Sequence, residues 1–163
     1  MKTYIEITPD EQNNNDVTDF LKHHWGSNSM VTRGKFTDAS KISRVLIKDD
    51  KRTIIGLITF LIDKNDNSCE LISVDAVKQG KGIGTKLINL VEKIAKENKV
   101  KKVWLISTND NYEAAIFYIK KGYRLIKVHK DALDVSRKLK PQIPLIGKYG
   151  IPLQDEWEFE KIL

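Results

Sequence analysis

Apolar residues along this chain recur with two different periods, and the order of the two periods predicts the fold. Runs that alternate or are continuously apolar are typical of strands, whereas apolar residues three or four positions apart are typical of helices. The strand pattern covers residues 3–8, 44–48, 53–62, 68–75, 103–107, 123–128 and 156–162. The helix pattern covers residues 16–25, 82–97, 111–120 and 132–139, and residues 30–36 form either a strand or an ordered loop.

The helix predicted over residues 82–97 has the clearest amphipathic pattern. Five apolar residues fall on one of its faces: Ile83, Leu87, Leu90, Val91 and Ile94. The run over residues 103–107 is continuously apolar, which is typical of a buried strand, and we expect it to pair parallel to the strand before the helix. Asp110 and Glu113 have the spacing of a capping box, which predicts that the next helix opens there.

The order of these elements predicts a mixed α/β fold. Three antiparallel strands precede the first long helix, and the later strands alternate with helices. We therefore expect a single domain over residues 1–163, with a mixed, mostly antiparallel central sheet flanked by helices. Residues 131–153 contain three of the four prolines but are too apolar for a free linker, so we expect a flap that packs on the domain before the last strand.

Composition and charge narrow the choice of partners. The chain is 40% hydrophobic and 31% charged, which suits a packed domain with a soluble surface. The start lacks a signal-peptide pattern, and the longest apolar run, residues 54–62, is too short to span a bilayer, so we expect a cytoplasmic protein without a membrane partner. The only cysteine, Cys69, excludes an internal disulfide and lies in an apolar stretch that favours a buried thiol. We expect no metal site.

A glycine-rich turn at residues 79–84, Gln-Gly-Lys-Gly-Ile-Gly, joins a predicted strand to the longest predicted helix. Glycines are costly in regular structure, but at this junction bare backbone lets several N–H groups point outward together at the positive end of a helix. Such a turn binds phosphate oxygens. The net charge of +6 also suits an anionic ligand, although the lysines are scattered along the chain.

Other phosphate sites fit this turn less well. It lacks the Gly-Lys-Ser/Thr ending of a P-loop, and Thr85 stands where a dinucleotide-binding fingerprint has its third glycine. A nucleic-acid partner is suggested only by the basic isoelectric point near 9.3, without an arginine-rich patch. We therefore expect no nucleic-acid partner.

Two motifs together resemble the GNAT superfamily of acetyl-CoA-dependent N-acetyltransferases. Residues 79–84 match its Q/R-x-x-G-x-G/A pattern, and residues 111–123, Asn-Tyr-Glu-Ala-Ala-Ile-Phe-Tyr-Ile-Lys-Lys-Gly-Tyr, match its N-x-x-A-x-x-F/L-Y-x-x-x-G-F/Y pattern with every spacing kept. The resemblance is specific over residues 71–128. The usual proline after the strand is absent, because Ala76 and Val77 stand there.

The resemblance implies a site for acetyl-CoA as co-substrate. The pantetheine arm would enter between two parallel central strands that splay after a bulge near Val74, and the pyrophosphate would bind backbone N–H groups of the glycine turn. Asn111 would donate a hydrogen bond to the pantetheine, although asparagine also favours helix starts. Lys81 and Lys86 are the two candidates for the 3′-phosphate, but a solvated lysine is the simpler interpretation of each. The implied cofactor-binding residues are Val74, Ala76, Gln79, Gly80, Lys81, Gly82, Ile83, Gly84, Thr85, Asn111 and Tyr118.

The resemblance also implies a chemistry in which a neutral amine attacks the thioester directly. Tyr118 would protonate the departing thiolate; without the motif, an aromatic on the inner face of the helix would be the simpler interpretation. A carboxylate would help to deprotonate the amine. Glu70 is slightly favoured over Asp75, and because they alternate along one strand they share a face only if a bulge intervenes. Cys69 would have no covalent role.

The sequence leaves the acceptor open. A protein N-terminus, a lysine side chain and small amino metabolites all fit, so the partner is a small-molecule or peptide amine, and a homodimer is one of the oligomeric states left open. Residues 131–153, with Trp25, Arg33 and Trp157, are candidates for acceptor selectivity. A non-catalytic acyl-CoA-binding module on the same fold is the main alternative, and the presence of both Asn111 and Tyr118 argues against it.

Overall fold

The computed structural model describes residues 2–8 and 15–163, so residues 9–14, between the first predicted strand and the first predicted helix, lie outside this range. The helices are α1 (Asn15–Trp25), α2 (Ile83–Glu97), α3 (Tyr112–Lys120) and α4 (Ala132–Leu139). The strands are β1 (Tyr4–Thr8), β2 (Ser29–Thr32), β3 (Lys35–Asp38), β4 (Ser43–Lys48), β5 (Ile54–Asp63), β6 (Ser68–Ala76), β7 (Lys102–Thr108), β8 (Arg124–His129) and β9 (Glu156–Ile162). The predicted mixed α/β fold with a mostly antiparallel sheet is confirmed.

The chain forms two compact units. The first comprises Met1–Ser29, Asp38–Val103 and Leu163, and the second comprises Met30–Thr37 and Trp104–Ile162. Because β6 belongs to the first unit and most of β7 to the second, the parallel pairing of these two strands stays a prediction, as does the single domain.

In the first unit, four strands lie in the order β1-β4-β5-β6, and each pairs antiparallel with its neighbour. The three successive antiparallel strands predicted before the glycine turn are therefore confirmed. A backbone hydrogen bond of 3.0 Å from Val77 N to Ile55 O continues the last pairing one residue beyond β6. The chain thus leaves the sheet directly into the glycine turn.

Helix α2 packs closely on β5, and a glycine permits the approach. A Cβ on Gly56 would lie 2.5 Å from Ile83 Cγ2 and 3.2 Å from Leu87 Cδ1, so only a bare backbone fits there. The buried face of the helix consists of Ile83, Leu87, Ile88, Val91 and Ala95. Of the predicted apolar face, Leu90 and Ile94 are only half-buried, whereas Ile88 and Ala95, which the pattern did not include, are buried.

In the second unit, three strands lie in the order β7-β9-β8, and β8 pairs antiparallel with β9. The continuously apolar run forms β7, in which buried and half-buried residues alternate, so one face of the strand is buried while Trp104 and Ile106 on the other are partly exposed. Residues 30–36, left open above, form a tight hairpin of β2 and β3. Its turn residues Arg33 and Gly34 both have positive φ angles, 51° and 69°, as a two-residue hairpin turn requires.

Residues 140–153, called the strap below, follow α4 without regular structure but are fastened by hydrogen bonds. The Arg137 guanidinium donates to the carbonyl oxygens of Ile143, Pro144 and Leu153, the second of these at 2.8 Å. Gly147 N and Ile151 O are 2.8 Å apart and close the strap on itself around a single 3₁₀ turn. One side-chain donor thus fixes three carbonyl groups that no helix or sheet satisfies.

None of the helices in the described ranges, 2–8 and 15–163, is both long and apolar enough to cross a membrane.

Candidate active site

The glycine turn presents bare backbone at the start of α2. Gly80 and Gly82 have φ angles of 74° and 73°, a left-handed conformation that glycine adopts without strain. Gly82 precedes the first residue of the helix, and no side chain caps that end. A Cβ built on either glycine would meet nothing within 4 Å. The turn is therefore open, and its N–H groups lie at the positive end of a helix dipole, which suits an anion.

A bulge in β6 decides which side chains share a face with Asp75. Thr59 pairs with Ser73, but the next residue, Phe60, pairs with Leu71, so Ile72 is an extra residue in the ladder. Partners across a ladder point to the same side of a sheet. Thr59 and Leu61 are two residues apart on β5 and point to the same side, so Glu70, the partner of Leu61, lies on the same face as Ser73. Asp75, two residues beyond Ser73, shares this face.

Glu70 and Asp75 thus lie on one face, the condition under which both can serve a single site. Simple alternation would have put them on opposite faces, and the bulge lies two residues before the position expected from the resemblance. The opposite face of this sheet carries Gly56 and helix α2, so the two carboxylates lie on the side that α2 does not cover.

The two carboxylate oxygens of Asp75 differ in their hydrogen bonds. Trp25 at the end of α1 donates its indole N–H to Asp75 Oδ1 at 2.8 Å. The second oxygen, Oδ2, is buried and accepts no hydrogen bond from any residue in the described part of the chain. Burial raises the pKa of Asp75, and the Trp25 hydrogen bond, the charge of His24 and the Ser73 hydroxyl offset only part of that rise. A carboxylate with one free, poorly solvated oxygen is well suited to accept a proton.

Cys69, the only cysteine in the sequence, lies on this strand, and its thiol is not activated for nucleophilic chemistry. It is fully buried, and burial, with a smaller contribution from the charge of Glu70, raises the pKa of its thiol to about 12. At neutral pH the thiolate, which is the reactive form, is therefore almost absent. The prediction that Cys69 is a buried thiol is confirmed.

Asn111 is the residue that caps α3, and the capping box predicted at Asp110 was wrong. The Asn111 side-chain oxygen accepts from Ala114 N at 3.3 Å and from Lys148 Nζ at 3.0 Å. The buried Asp110 instead accepts from the Thr108 hydroxyl at 2.5 Å and from Lys148 N at 2.8 Å. The carboxylate is used to anchor the strap rather than to cap the helix, so Asn111 takes the capping position.

Tyr118 lies on the inner face of α3, only 8% exposed. Its ring contacts Phe117, Tyr123 and Phe159, with centroid separations of 5.3, 5.7 and 6.1 Å. Packing on three aromatic rings fixes the orientation of the phenol, which a proton donor needs, and it is equally what a core tyrosine would show.

The remaining predicted residues divide according to the two units. Val74 and Ala76 pair with β5, on the face opposite Asp75. Gln79, Gly80, Lys81 and Gly82 are exposed in the turn, and Gly84 and Thr85 are half-buried in the first turn of α2, whereas the Ile83 side chain is buried against Gly56. All of these lie in the first unit with Glu70 and Asp75, while Asn111 and Tyr118 lie in the second. Their assembly into one site stays a prediction.

Two contacts of these residues were not foreseen from the sequence. Trp25 was named only for selectivity, yet it holds Asp75, 50 residues away along the chain. Lys148 holds Asn111 from 37 residues away. No local pattern could have revealed either pair. The apolar content of residues 131–153 predicted a flap that packs on the domain, but Leu145, Ile146 and Tyr149 of this segment are exposed.

No group of three or more metal-binding side chains occurs among the residues that the structure describes.

The model of the acetyltransferase (GNAT) family matches residues 6–123 of this chain. The uncharacterized protein YxbD of Bacillus subtilis is 39% identical over 140 residues, which cover 86% of this chain and 87% of that protein. A Bacillus subtilis acetyltransferase solved in complex with CoA superposes with a TM-score of 0.68 at 16% identity, covering 99% of both chains. A GNAT family acetyltransferase from Elizabethkingia anophelis with acetyl-CoA bound gives a TM-score of 0.68 at 19% identity, covering 99% of this chain and 98% of the other.

Proposed function

The chain belongs to the acetyltransferase (GNAT) family, and on this basis we propose that it transfers the acetyl group of acetyl-CoA to a primary amine by direct attack in a ternary complex. Similar folds bind CoA and acetyl-CoA, as the two solved neighbours do. The observation that carries the proposal for this chain is the Asp75 carboxylate on the strand that leads into the glycine turn. Burial raises its pKa, and its buried Oδ2 accepts no hydrogen bond from the described residues.

The glycine turn is proposed to bind the pyrophosphate of the co-substrate. Backbone N–H groups of residues 80–85 supply the donors, and the positive end of α2 favours the negative charge. The open space around Gly80 and Gly82 supports this role, because a side chain at either position would stand between the phosphate and the backbone. The Val74 and Ala76 backbone is proposed to pair with the pantetheine arm.

Asp75 is proposed as the base that takes the proton from the attacking amine. For an amine with a pKa of about 10.4, deprotonation at pH 7 costs about 4–5 kcal/mol of free energy, whereas for an α-amine with a pKa of about 8 it costs about 1 kcal/mol. A carboxylate whose pKa is raised by burial is a better proton acceptor than an ordinary one. Glu70 lies on the same face and is the alternative base, but the geometry favours Asp75, because its hydrogen bond to Trp25 fixes the carboxylate.

Tyr118 is proposed as the acid that protonates the leaving sulfur. The amine nitrogen forms a bond to the acetyl carbon, and the carbon–sulfur bond then breaks to give the amide and the CoA thiolate. A phenol with a pKa near ~10 donates a proton to this thiolate, and the proton lost by the amine balances the one gained by sulfur over the full cycle. Because the Cys69 thiol has a pKa of about 12, an acetylated cysteine is not part of the proposed route.

The test is release of free CoA from acetyl-CoA, followed by reaction of the thiol with a chromogenic disulfide, in a panel of primary amines. The panel contains an α-amino peptide, a lysine peptide, a polyamine and an amino sugar. Amine-dependent thiol release that saturates in both substrates supports the proposal. Tight acetyl-CoA binding with no amine-dependent release across the panel indicates a non-catalytic acyl-CoA-binding module, and absence of CoA binding refutes both.

A further inference from the structure

We propose that Lys148, on the strap, is a positioning residue for acyl-CoA binding. Its ammonium group fixes the side-chain carboxamide of Asn111 so that the NH₂ group, rather than the carbonyl oxygen, faces the co-substrate. The inference rests on the proposed function, because it concerns the residue that would hydrogen-bond the pantetheine.

The orientation of the Asn111 carboxamide follows from its two neighbours. One end of the amide lies between Ala114 N, at 3.3 Å, and Lys148 Nζ, at 3.0 Å. Both neighbours are donors and neither has a lone pair to offer. The atom between them must therefore be the oxygen, and a flipped amide would place its NH₂ group against two donors. The NH₂ group consequently points away from α3 and from the strap.

Lys148 contributes more to this orientation than the helix cap does. The distance from Ala114 N to Oδ1 exceeds the usual range for an N–H···O bond, about 2.7–3.2 Å. The contact with Lys148 lies inside that range and involves a full charge, which strengthens a hydrogen bond. Without Lys148, the carboxamide would keep only the weaker of its two restraints.

Contacts on both sides of Lys148 hold it in place. Lys148 N donates to Asp110 Oδ2 at 2.8 Å, and Asp110 is itself only 5% exposed. A Cβ on Gly147 would lie 2.2 Å from Asp110 Oδ2, so the strap reaches this carboxylate only because residue 147 is glycine. Lys148 Nζ also lies 3.6 Å from Glu113 Oε2, and the Tyr149 phenol donates to the same carboxylate. Lys148 is therefore set against the first turn of α3 by the fold.

A purely stabilising role does not account for a lysine at this position. The Lys148 ammonium lies beside the first turn of α3, where the helix dipole disfavours a cation. Its ion pair with Glu113 is about half exposed at both side chains, and such pairs contribute little. The ammonium thus sits where electrostatics gives it little net benefit to the fold, while it restrains the amide oxygen of the capping residue.

The ligand group that this arrangement selects is a hydrogen-bond acceptor. The Asn111 NH₂ group donates no hydrogen bond to any residue that the structure describes, so both of its protons remain for a ligand. An amide carbonyl, of which the pantetheine arm of CoA has two, fits this donor. A freely rotating carboxamide would present the wrong end in part of the population and would lower the apparent affinity accordingly.

The experiment compares Lys148→Met, Lys148→Arg and the control Tyr149→Phe in the full chain. Calorimetry gives the Kd for CoA, and thiol release gives KM for acetyl-CoA and kcat. We expect Lys148→Met to raise Kd and KM about 3- to 10-fold, the worth of one hydrogen bond, with kcat within about twofold. Lys148→Arg should retain most of the affinity, because it keeps a charged donor. Tyr149→Phe removes a contact of the strap with Glu113 but none with Asn111, so it should raise Kd clearly less than Lys148→Met does.

A double-mutant cycle separates action through Asn111 from other effects of Lys148. In an Asn111→Ala background, Lys148→Met should cause no further loss of CoA affinity. An additive loss there, or an equal loss in Tyr149→Phe, would overturn the inference, and so would unchanged affinity in Lys148→Met. As an independent check, the Asn111 side-chain amide resonances should shift on titration of the wild type with CoA and exchange-broaden in Lys148→Met. Failure of the wild type itself to bind CoA would refute the proposed function as well.

Discussion

The substitution Asp75→Asn tests the proposed base most directly, because it removes one titratable group and keeps the shape. The asparagine oxygen can still accept the hydrogen bond that Trp25 donates to Oδ1. What disappears is the second oxygen, Oδ2, which is buried and has no hydrogen-bond partner among the residues in the described ranges. An amide NH₂ in its place cannot accept a proton.

The expected loss of activity is large, whereas the fold should not suffer. Loss of a general base typically costs about 10²- to 10⁴-fold in rate. The pKa of Asp75 is raised in the folded protein, so the ionised carboxylate disfavours folding. The stability linked to this group is therefore fully present below the ordinary Asp pKa and is lost as the pH rises through the folded-state pKa. At pH 8 the Asn variant, which carries no such charge, should unfold at a temperature no lower than the wild type.

The assay measures kcat/KM for the best amine of the panel between pH 5 and 9, and thermal unfolding over the same range. The wild type should lose activity on the acid side with a pKa above that of an ordinary aspartate, and the Asn variant should lack this limb. Trp25→Phe should shift the limb to higher pH, because the Trp25 hydrogen bond is one of the causes that lower the Asp75 pKa. The Trp25→Phe variant therefore assigns the acid-side loss of activity to Asp75 rather than to the amine.

Glu70→Gln is the matched control, since it makes the same change of charge on the same face of the sheet. We expect an effect of no more than a few-fold on kcat/KM. If Glu70→Gln abolishes activity while Asp75→Asn changes it by less than about tenfold, the assignment of the base is refuted. If the two variants lose activity equally, the carboxylates act as a pair.

Substitutions at three further positions test other parts of the proposal. Tyr118→Phe should lower kcat while leaving the Kd for CoA unchanged, and an unaltered kcat would remove the assignment of the acid. Both Asp and Asn tolerate the left-handed backbone of Gly82, at φ 73°. Weaker CoA binding in Gly82→Asp than in the neutral Gly82→Asn therefore measures charge repulsion by the phosphate. Equal affinities of the two variants would contradict phosphate binding by the glycine turn. Gly56→Ala should destabilise the protein by about 1–3 kcal/mol in denaturant unfolding, because its Cβ would overlap Ile83; an unchanged midpoint would mean that α2 can move away at no cost.

The sequence by itself determined the features that depend on neighbouring residues. The order of strands and helices, the glycine turn at Gly80 and Gly82, and the amphipathic character of α2 were all predicted from local patterns. Each depends on the period of apolar residues or on the unusual backbone freedom of glycine, which a short stretch of chain carries in full. The resemblance to the GNAT superfamily rests on the same local motifs.

Only the tertiary structure decided how the candidate catalytic side chains are placed. The extra residue Ile72, which brings Glu70 to the face of Asp75, is a property of two paired strands and cannot be read from either one. The same is true of the hydrogen bonds from Trp25 to Asp75 and from Lys148 to Asn111, which join residues far apart along the chain. Periodicity predicts which elements form, whereas register and long-range hydrogen bonds arise only when those elements pack together.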